Sequence, residues 1–264
     1  MNKNVILFFV GLFSCQVQSN ENTESPDPAV HMIQAMLYQQ VASEKRALCY
    51  QAYNLAKMRI DQIVAENPDA KNLALITDVD ETVLDNSPLN GQLVHNQSEY
   101  SSDIWKEWSD LGMADTIPGS VEFLNYAQNL GVEVFYVTNR KSDEEETTIK
   151  NLEMFGYPNA DSEHLFLRTA ESGKDARRAL VTQEHEVVLL LGDNLNDFSS
   201  IFEKKGAYER GLATDDLRKE FGRNFIVFPN TMYGEWESYE VMEGRRDFSL
   251  EQKDSLRRKK ILGF

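Results

Sequence analysis

The sequence predicts an α/β fold, in which a parallel sheet is flanked by helices and a smaller helical part is added to it. Two apolar runs, residues 73–76 and 187–191, have the length and continuous hydrophobicity of strands that are buried on both faces. Residues 30–66 repeat apolar side chains at helical spacing instead. A chain of 264 residues, 41% of them hydrophobic, can bury one full core.

The N-terminus is predicted to be an export signal, residues 1–14. Residues 5–13 are apolar after a short positively charged start, and this run is too short to cross a bilayer. Ser14 directly precedes Cys15, which resembles a bacterial lipobox. We therefore expect lipidation at Cys15, followed by a flexible polar tether over residues 15–28. Cleavage to an unlipidated periplasmic or secreted protein is the alternative.

The other elements follow from local patterns in chain order. Residues 86–116 are polar with scattered aromatic side chains and are too long for a simple connection, so they are predicted to form an insertion over the site. A helix is expected over residues 117–130, and residues 132–137 are predicted to be a second core strand. The folded domain is expected to span 29–264, with an α/β core at about 70–230 and a helical subdomain made of 29–66, the insertion and the C-terminal tail.

Charge limits the classes of partner. The chain has 43 acidic and 27 basic residues and a formal net charge of −16, which argues against binding a nucleic-acid polymer. The same charge opposes long-range attraction of anionic substrates, so any phosphate specificity must come from local positive charge or a metal. Cys49 lies in a helical stretch and is expected to be a buried apolar residue rather than part of a disulfide.

Acidic residues directly follow two of the apolar strands. Asp78 and Asp80 come after the first of these strands, and Asp193 and Asp197 come after the other. Because catalytic groups in open α/β sheets gather at the carboxyl ends of the strands, the four carboxylates are expected to converge. Such a cluster requires a cation, and an all-oxygen site suits Mg²⁺. The sequence therefore predicts a magnesium site with a carboxylate nucleophile.

Two further groups suit a phosphoryl ligand. Thr138 and Asn139 follow the predicted strand 132–137, just before a helix N-terminus, and can donate to phosphoryl oxygens. Lys174 stands at the start of another predicted helix, where it can neutralise charge during phosphoryl transfer. The acidic run 143–146 is assigned to the first turn of a helix, where carboxylates favour the dipole, and it is given no catalytic role.

This order of groups resembles the haloacid dehalogenase superfamily of phosphotransferases. Residues 76–86 and 189–198 are similar to the paired signatures of class C, or DDDD, acid phosphatases, which include outer-membrane nucleotidases of the lipoprotein e type. The likeness covers nearly the whole chain, including residues 229–234. Leu89 stands where tyrosine is common and Thr77 is more polar than usual, which bears on substrate shape rather than on activity.

The resemblance implies a haloacid-dehalogenase-like Rossmannoid sheet and a two-step reaction. Asp78 is expected to form an aspartyl-phosphate, and Asp80 to protonate the leaving oxygen and later deprotonate water. Mg²⁺ would be held by Asp78, the Asp80 carbonyl and Asp193, while Asp197 would orient waters or Lys174. The groups expected to bind phosphate oxygens are Thr138, Asn139 and Lys174.

The resemblance also implies a substrate class. Trp105 and Tyr233 match positions where aromatic rings sandwich a nucleobase or aryl group, which is worth on the order of 1–3 kcal/mol per ring; ordinary packing is the alternative. The expected activity is an acid phosphatase or 5'-nucleotidase acting on small phosphomonoesters at the outer membrane. A narrow phosphatase for sugar or amino-acid phosphates and a non-catalytic ligand-binding surface lipoprotein stay open, and so does a homodimer.

Overall fold

The computed structural model describes residues 27–264. The predicted signal peptide, Cys15 and the tether up to residue 26 lie outside the described residues. Within residues 27–264, no helix combines the length and the apolar character needed to cross a membrane.

The predicted α/β fold is confirmed by a central parallel sheet. The strands are β1 (Leu73–Thr77), β2 (Leu84–Asp85), β3 (Asp115–Thr116), β4 (Glu133–Lys141), β5 (Leu165–Arg168), β6 (Glu186–Gly192) and β7 (Phe225–Val227). Five of them form the sheet in the order β5-β4-β1-β6-β7, with every neighbouring pair parallel. All five residues of the central strand β1 are buried, as expected for a strand covered on both faces.

Helices surround this sheet. They are α1 (Ile33–Val41), α2 (Ser43–Glu66), α3 (Ser87–His95), α4 (Ser102–Leu111), α5 (Ser120–Asn129), α6 (Glu145–Met154), α7 (Asp175–Glu184), α8 (Ala207–Asp216), α9 (Glu235–Ser238) and α10 (Leu250–Lys260). The bounds of α4 follow from its sequence: the Ser101 hydroxyl accepts from Ile104 N, and Gly112 ends the helix in the left-handed conformation.

Helix α2 packs into the main core. The Tyr53 ring lies 5.5 Å from Phe123 and 4.6 Å from Phe228, centroid to centroid. Its hydroxyl donates to the carbonyl of Thr82 at 2.6 Å. Cys49 is buried in the same cluster, as predicted. Helix α2 therefore holds the loop that follows β1 through this hydrogen bond to Thr82.

Two features differ in detail from the sequence-based expectation. Strand β4 does not stop at Val137 but continues to Lys141, with an irregular register to β5 until Lys141 pairs with Arg168. The insertion is bounded by a short antiparallel pair, since β2 pairs with β3. Helices α3 and α4 lie between these two strands, so the insertion begins within a few residues of Asp80.

Candidate active site

Adjacent strands bring the acidic residues together. Asp78 directly follows β1, and its N–H donates to the carbonyl of Leu191 in β6 at 2.9 Å, which holds the two strand ends side by side. Asp193 directly follows β6. Asp78, Asp193 and Asp197 each offer a carboxylate oxygen within 4.8 Å of the others. The predicted convergence at the carboxyl edge of the sheet is therefore present for these three groups.

Lys174 lies inside this cluster. Its side chain is only 4% exposed, and Nζ lies 2.5 Å from Asp78 Oδ1 and 2.7 Å from Asp197 Oδ1. Burial on its own would lower the pKa of Lys174, but the charges of Asp197 and Asp78 raise it above its usual value. The Arg178 guanidinium donates to the Asp197 carbonyl at 2.7 Å. Lys174 is thus a fixed ammonium ion between two carboxylates.

One lysine does not neutralise the cluster. Burial, opposed by Lys174 and reinforced by the charges of Asp197 and Asp80, raises the pKa of Asp78 to about 7. Burial and the neighbouring carboxylates also raise the pKa of Asp193 well above its usual range. Close carboxylates of this kind fit a divalent cation with oxygen ligands. Asp197 lies within the same distance set, and its Oδ1 contacts Lys174 as expected, while its Oδ2 accepts from the backbone N–H of Asn194 at 2.9 Å. A metal-ligand role for Asp197 stays a prediction.

Asp80 has a different environment from Asp78. Its Oδ1 accepts from Arg140 Nε at 3.0 Å, from Arg140 Nη2 at 2.8 Å and from Asn86 Nδ2 at 2.8 Å. Among the described residues, the one donor to Oδ2 is the Thr138 hydroxyl at 3.5 Å. The carboxylate is therefore oriented through one oxygen, and the other oxygen is available for proton transfer.

The structure separates Thr138 from Asn139. Thr138 is fully buried, contacts Asp80 and accepts from the backbone N–H of Arg140 at 3.1 Å. Asn139 is exposed, and its Oδ1 accepts from Arg177 Nη2 at 2.8 Å. Thr138 lies beside the acidic residues, whereas Asn139 is tied to Arg177. Phosphate binding by either residue stays a prediction.

Each predicted stacking ring donates to a buried carboxylate. The Trp105 indole Nε1 donates to Glu144 Oε1 at 2.7 Å, and the guanidinium carbon of Arg140 lies 5.7 Å from the centroid of the same ring. The Tyr233 hydroxyl donates to Glu81 Oε2, although 37% of the residue is exposed. Each ring therefore contacts a residue that is itself close to Asp80: Trp105 contacts Arg140, which binds Asp80, and Tyr233 contacts Glu81, the next residue in the chain.

Several site residues were missed by sequence reasoning. Asn86 and Arg140 orient Asp80, and Asn230 Nδ2 donates to Asp193 Oδ2 at 2.8 Å. Asn86 and Asn230 stand inside the quoted signatures 76–86 and 229–234, and Arg140 directly follows Thr138 and Asn139, so their positions carried a signal. Glu81 is buried, and burial together with the charge of Asp80 raises its pKa to about 8. Its place next to Asp80, inside the quoted signature 76–86, was the signal for a role.

Comparison with known proteins agrees with this geometry. The protein-family model for the HAD superfamily, subfamily IIIB (acid phosphatase), matches residues 10–236 of the chain. The crystal structure of the class C acid phosphatase from Bacillus anthracis with tungstate bound superposes with a TM-score of 0.86 at 39% identity, covering 90% of this chain and 99% of that one. Another structure of the class C acid phosphatase from Bacillus anthracis gives the same values.

Plant proteins show a more distant similarity. Acid phosphatase 1 from Solanum lycopersicum is 29% identical over 158 residues, which cover 53% of this chain and 61% of that protein. A stem 31 kDa glycoprotein from Glycine max is 27% identical over 132 residues, covering 48% of this chain and 52% of that protein. The chain thus spans little more than half the length of these two relatives. Taken with the bacterial match and the acidic cluster, these findings show that the chain belongs to the acid phosphatases of the haloacid dehalogenase superfamily, subfamily IIIB, and is a class C member.

Proposed function

We propose that the chain is a Mg²⁺-dependent phosphomonoesterase that hydrolyses nucleoside monophosphates and aryl phosphates through an aspartyl-phosphate on Asp78. The observation that carries this proposal is the contrast between Asp78 and Asp80. Asp78 lies against Lys174 within the acidic cluster, whereas Asp80 is oriented by Arg140 and Asn86 outside it. Two carboxylates in unlike environments suit unlike roles.

Asp78 is suited to be the nucleophile. Its oxygen attacks phosphorus in line, the bond to the leaving oxygen breaks, and water later hydrolyses the acyl phosphate. Lys174 holds the Asp78 carboxylate and neutralises charge on the phosphoryl group. Asp80 Oδ2 donates the proton that the leaving oxygen takes up, and then accepts one from the attacking water.

A divalent cation fits Asp78, Asp193 and Asp197, together with the Asp80 carbonyl expected from sequence. Oxygen ligands favour Mg²⁺, which would supply charge neutralisation for the transferring phosphoryl group. Tungstate, bound in the bacterial relative, is a tetrahedral oxyanion like phosphate, and this supports the assignment of an oxyanion site.

The substrate assignment depends on the two rings. Trp105 is linked to Asp80 through Arg140, and Tyr233 is linked to it through Glu81 and Asn86. Two rings linked in this way to the acid that protonates the leaving group favour a leaving group with a flat ring over a sugar or amino-acid phosphate.

A panel assay of phosphate release tests the proposal. We expect release from nucleoside monophosphates and aryl phosphates to exceed release from sugar phosphates, to stop after chelation and to return with Mg²⁺. Asp78→Asn should abolish turnover in a folded protein, because an amide cannot form the acyl phosphate. Activity that survives chelation or this substitution would contradict the mechanism, and binding without turnover would favour a ligand-binding lipoprotein.

We also propose that the protein is anchored to the outer membrane through a lipid on Cys15, with a soluble periplasmic or secreted form as the alternative. The proposal depends on the pattern Leu12-Phe13-Ser14-Cys15 and on Gln16 rather than aspartate after the cysteine. Cys15→Ser should shift the protein from the membrane fraction to a soluble or unprocessed form. Recovery of the unmodified wild type in the soluble periplasm would contradict anchoring. Assembly as a homodimer stays a prediction.

A further inference from the structure

Glu81 is a buried carboxylate next to Asp80 that the proposed reaction leaves without a role. It is 1% exposed, and its backbone adopts a φ of +58°, a conformation that residues other than glycine rarely adopt. The turn that places it is closed by backbone hydrogen bonds, including Glu81 N to the Leu84 carbonyl at 2.8 Å. A strained backbone that buries an acidic side chain beside a catalytic residue calls for a functional explanation.

The hydrogen-bond partners of the Glu81 side chain are Asn86, five residues away, and Tyr233, 152 residues away. Its Oε1 accepts from the backbone N–H of Asn86 at 2.8 Å. Its Oε2 accepts from Asn86 Nδ2 at 3.3 Å and from the Tyr233 hydroxyl. The carboxylate therefore joins the start of the insertion to the loop that carries the exposed ring.

Asn86 passes this restraint on to Asp80. It is fully buried, its Nδ2 donates to Asp80 Oδ1 at 2.8 Å, and its Oδ1 accepts from Trp108 Nε1 at 2.8 Å. With a donor partner on one side and an acceptor partner on the other, the amide has one orientation. Tyr233, Glu81, Asn86 and Asp80 thus form a continuous chain of hydrogen bonds.

We propose that Glu81 is a positioning residue that, through Asn86, fixes Asp80 for proton donation to the leaving oxygen and ties the Tyr233 ring to the same support. The proposal rests on the proposed function, because it concerns the acid of that reaction. Since Asn86 and Arg140 both bind Asp80 Oδ1, they direct the other oxygen, Oδ2, toward the reaction. Loss of the Glu81 acceptor removes one of the bonds that hold the Asn86 side chain, so the direction of Oδ2 then depends on the bond from Trp108 to Asn86 and on Arg140.

Proton donation matters in proportion to the basicity of the leaving group. A nitrophenolate departs without a proton, whereas a nucleoside alkoxide needs one. Glu81→Gln in the full-length chain keeps the side-chain shape but replaces one acceptor oxygen with an NH₂ donor. With the remaining oxygen on the backbone N–H of Asn86, the Tyr233 hydroxyl and Asn86 Nδ2 lose their shared acceptor. We expect kcat/KM for adenosine monophosphate to fall about tenfold more than kcat/KM for para-nitrophenyl phosphate. The ratio kcat/KM reports steps up to leaving-group departure, so later hydrolysis of the phosphoenzyme does not blur the comparison.

Two further variants control for folding and for stacking. Tyr233→Phe keeps the ring and removes its hydrogen bond to Glu81, so the loss should have the same sign and be smaller. Glu144→Gln disturbs the other carboxylate that holds a ring, Trp105, without touching Asn86, and should lower kcat/KM equally for both substrates. If Glu81→Gln does not fold, Tyr233→Phe alone decides the question.

The outcomes separate this inference from the proposed function. Equal losses for the two substrates in Glu81→Gln and in Tyr233→Phe, with an active wild type, would overturn the positioning role alone. A wild type that hydrolyses neither substrate in the presence of Mg²⁺ would overturn the proposed function and this inference with it. A larger loss for the nucleotide, absent from Glu144→Gln, is the result expected.

Discussion

The indole nitrogen of Trp105 donates to Oε1 of Glu144 at 2.7 Å, and this bond fixes a ring of the insertion to the end of strand β4. Glu144 is 1% exposed, and its other oxygen accepts from the backbone N–H of Lys141 at 2.7 Å. The ring is therefore oriented by a carboxylate that is itself held in place. The acidic run 143–146, expected to serve only a helix terminus, contains a residue that orients a candidate substrate contact.

Replacing Trp105 should affect ringed substrates selectively. Trp105→Ala removes a stacking surface worth on the order of 1–3 kcal/mol, so KM for nucleoside monophosphates and aryl phosphates should rise about tenfold with a smaller change in kcat. Glycerol phosphate has no ring to stack and should be hydrolysed about as before. The control Tyr208→Ala removes an exposed ring on α8. Equal losses for ringed and ringless substrates would assign Trp105 to packing.

A second prediction concerns Gly192, the last residue of β6. A Cβ at this position would overlap the Asp197 side chain, which must then move away from Lys174. Gly192→Ala should therefore weaken Mg²⁺ binding and lower activity. Gly211→Ala is the matched control, because no atom of residues 27–264 beyond its own neighbours lies within 4 Å of a Cβ there and the residue is inside a helix. It should stabilise the protein by up to about 1 kcal/mol. Equal activity in the two variants would contradict the proposed placement of Asp197.

The sequence was sufficient to predict the main strands and the acidic residues, because both are local signals. Runs such as 73–76 and 187–191 identify strands of the sheet, and Asp78 and Asp193 directly follow these strands. The first run is buried throughout, whereas the second, expected to be buried on both faces, has Val187, Val188 and Leu190 only partly buried. Parallel pairing then brings the carboxylates together without further information. The convergence of these two aspartates was predictable for that reason.

The remaining contacts depend on tertiary structure. Tyr233 and Glu81 are 152 positions apart, and Arg140 and Asp80 are 60 apart. No periodicity links such pairs, because the contact exists only once the sheet and the insertion are assembled. The two-residue strand β2 is also too short to produce a hydrophobic period.

A third prediction concerns the metal-free protein. The pKa of Asp78 is raised from its ordinary value of 3.8 to about 7, chiefly by burial. Between these two values the folded chain binds more protons than the unfolded chain, so this group lowers the free energy of unfolding as pH rises. In chelator, Asp78→Asn should be more stable than the wild type at pH about 7, and the two should converge near pH about 4. Urea unfolding measures this difference.

Mg²⁺ provides the control for that measurement. Added at neutral pH, it should stabilise the wild type more than Asp78→Asn, because a ligand that binds the folded state raises the free energy of unfolding. A wild type that is as stable as the variant in chelator across the whole pH range would contradict the burial of an ionised Asp78.

The last prediction concerns the opposite edge of the sheet, where strands begin. His164 lies just before β5, and its Nε2 and Nδ1 each lie 2.7 Å from a carboxylate, Glu133 Oε1 and Asp161 Oδ1. His185 Nε2 lies 2.9 Å from the other Glu133 oxygen. Burial would lower the pKa of His164, but the hydrogen bonds to Asp161 and Glu133 raise it above 6.5. The pKa values of Glu133 and Asp161 are lowered by the same contacts, against the effect of burial.

These shifts define a pH window for stability. The histidine contribution is complete below its unfolded pKa of 6.5 and is lost as pH rises through the higher folded value. The carboxylate contributions are present above the unfolded values and are lost as pH falls through the lower folded ones. His164→Gln should therefore cost most between pH about 5 and 6.5, roughly 1 kcal/mol for these partly exposed pairs, and little above pH about 8. His95→Gln, at an exposed site on α3, should leave the pH profile of urea unfolding unchanged. A difference between wild type and His164→Gln that grows toward alkaline pH would contradict a charged His164, because only the protonated ring can pair with both carboxylates.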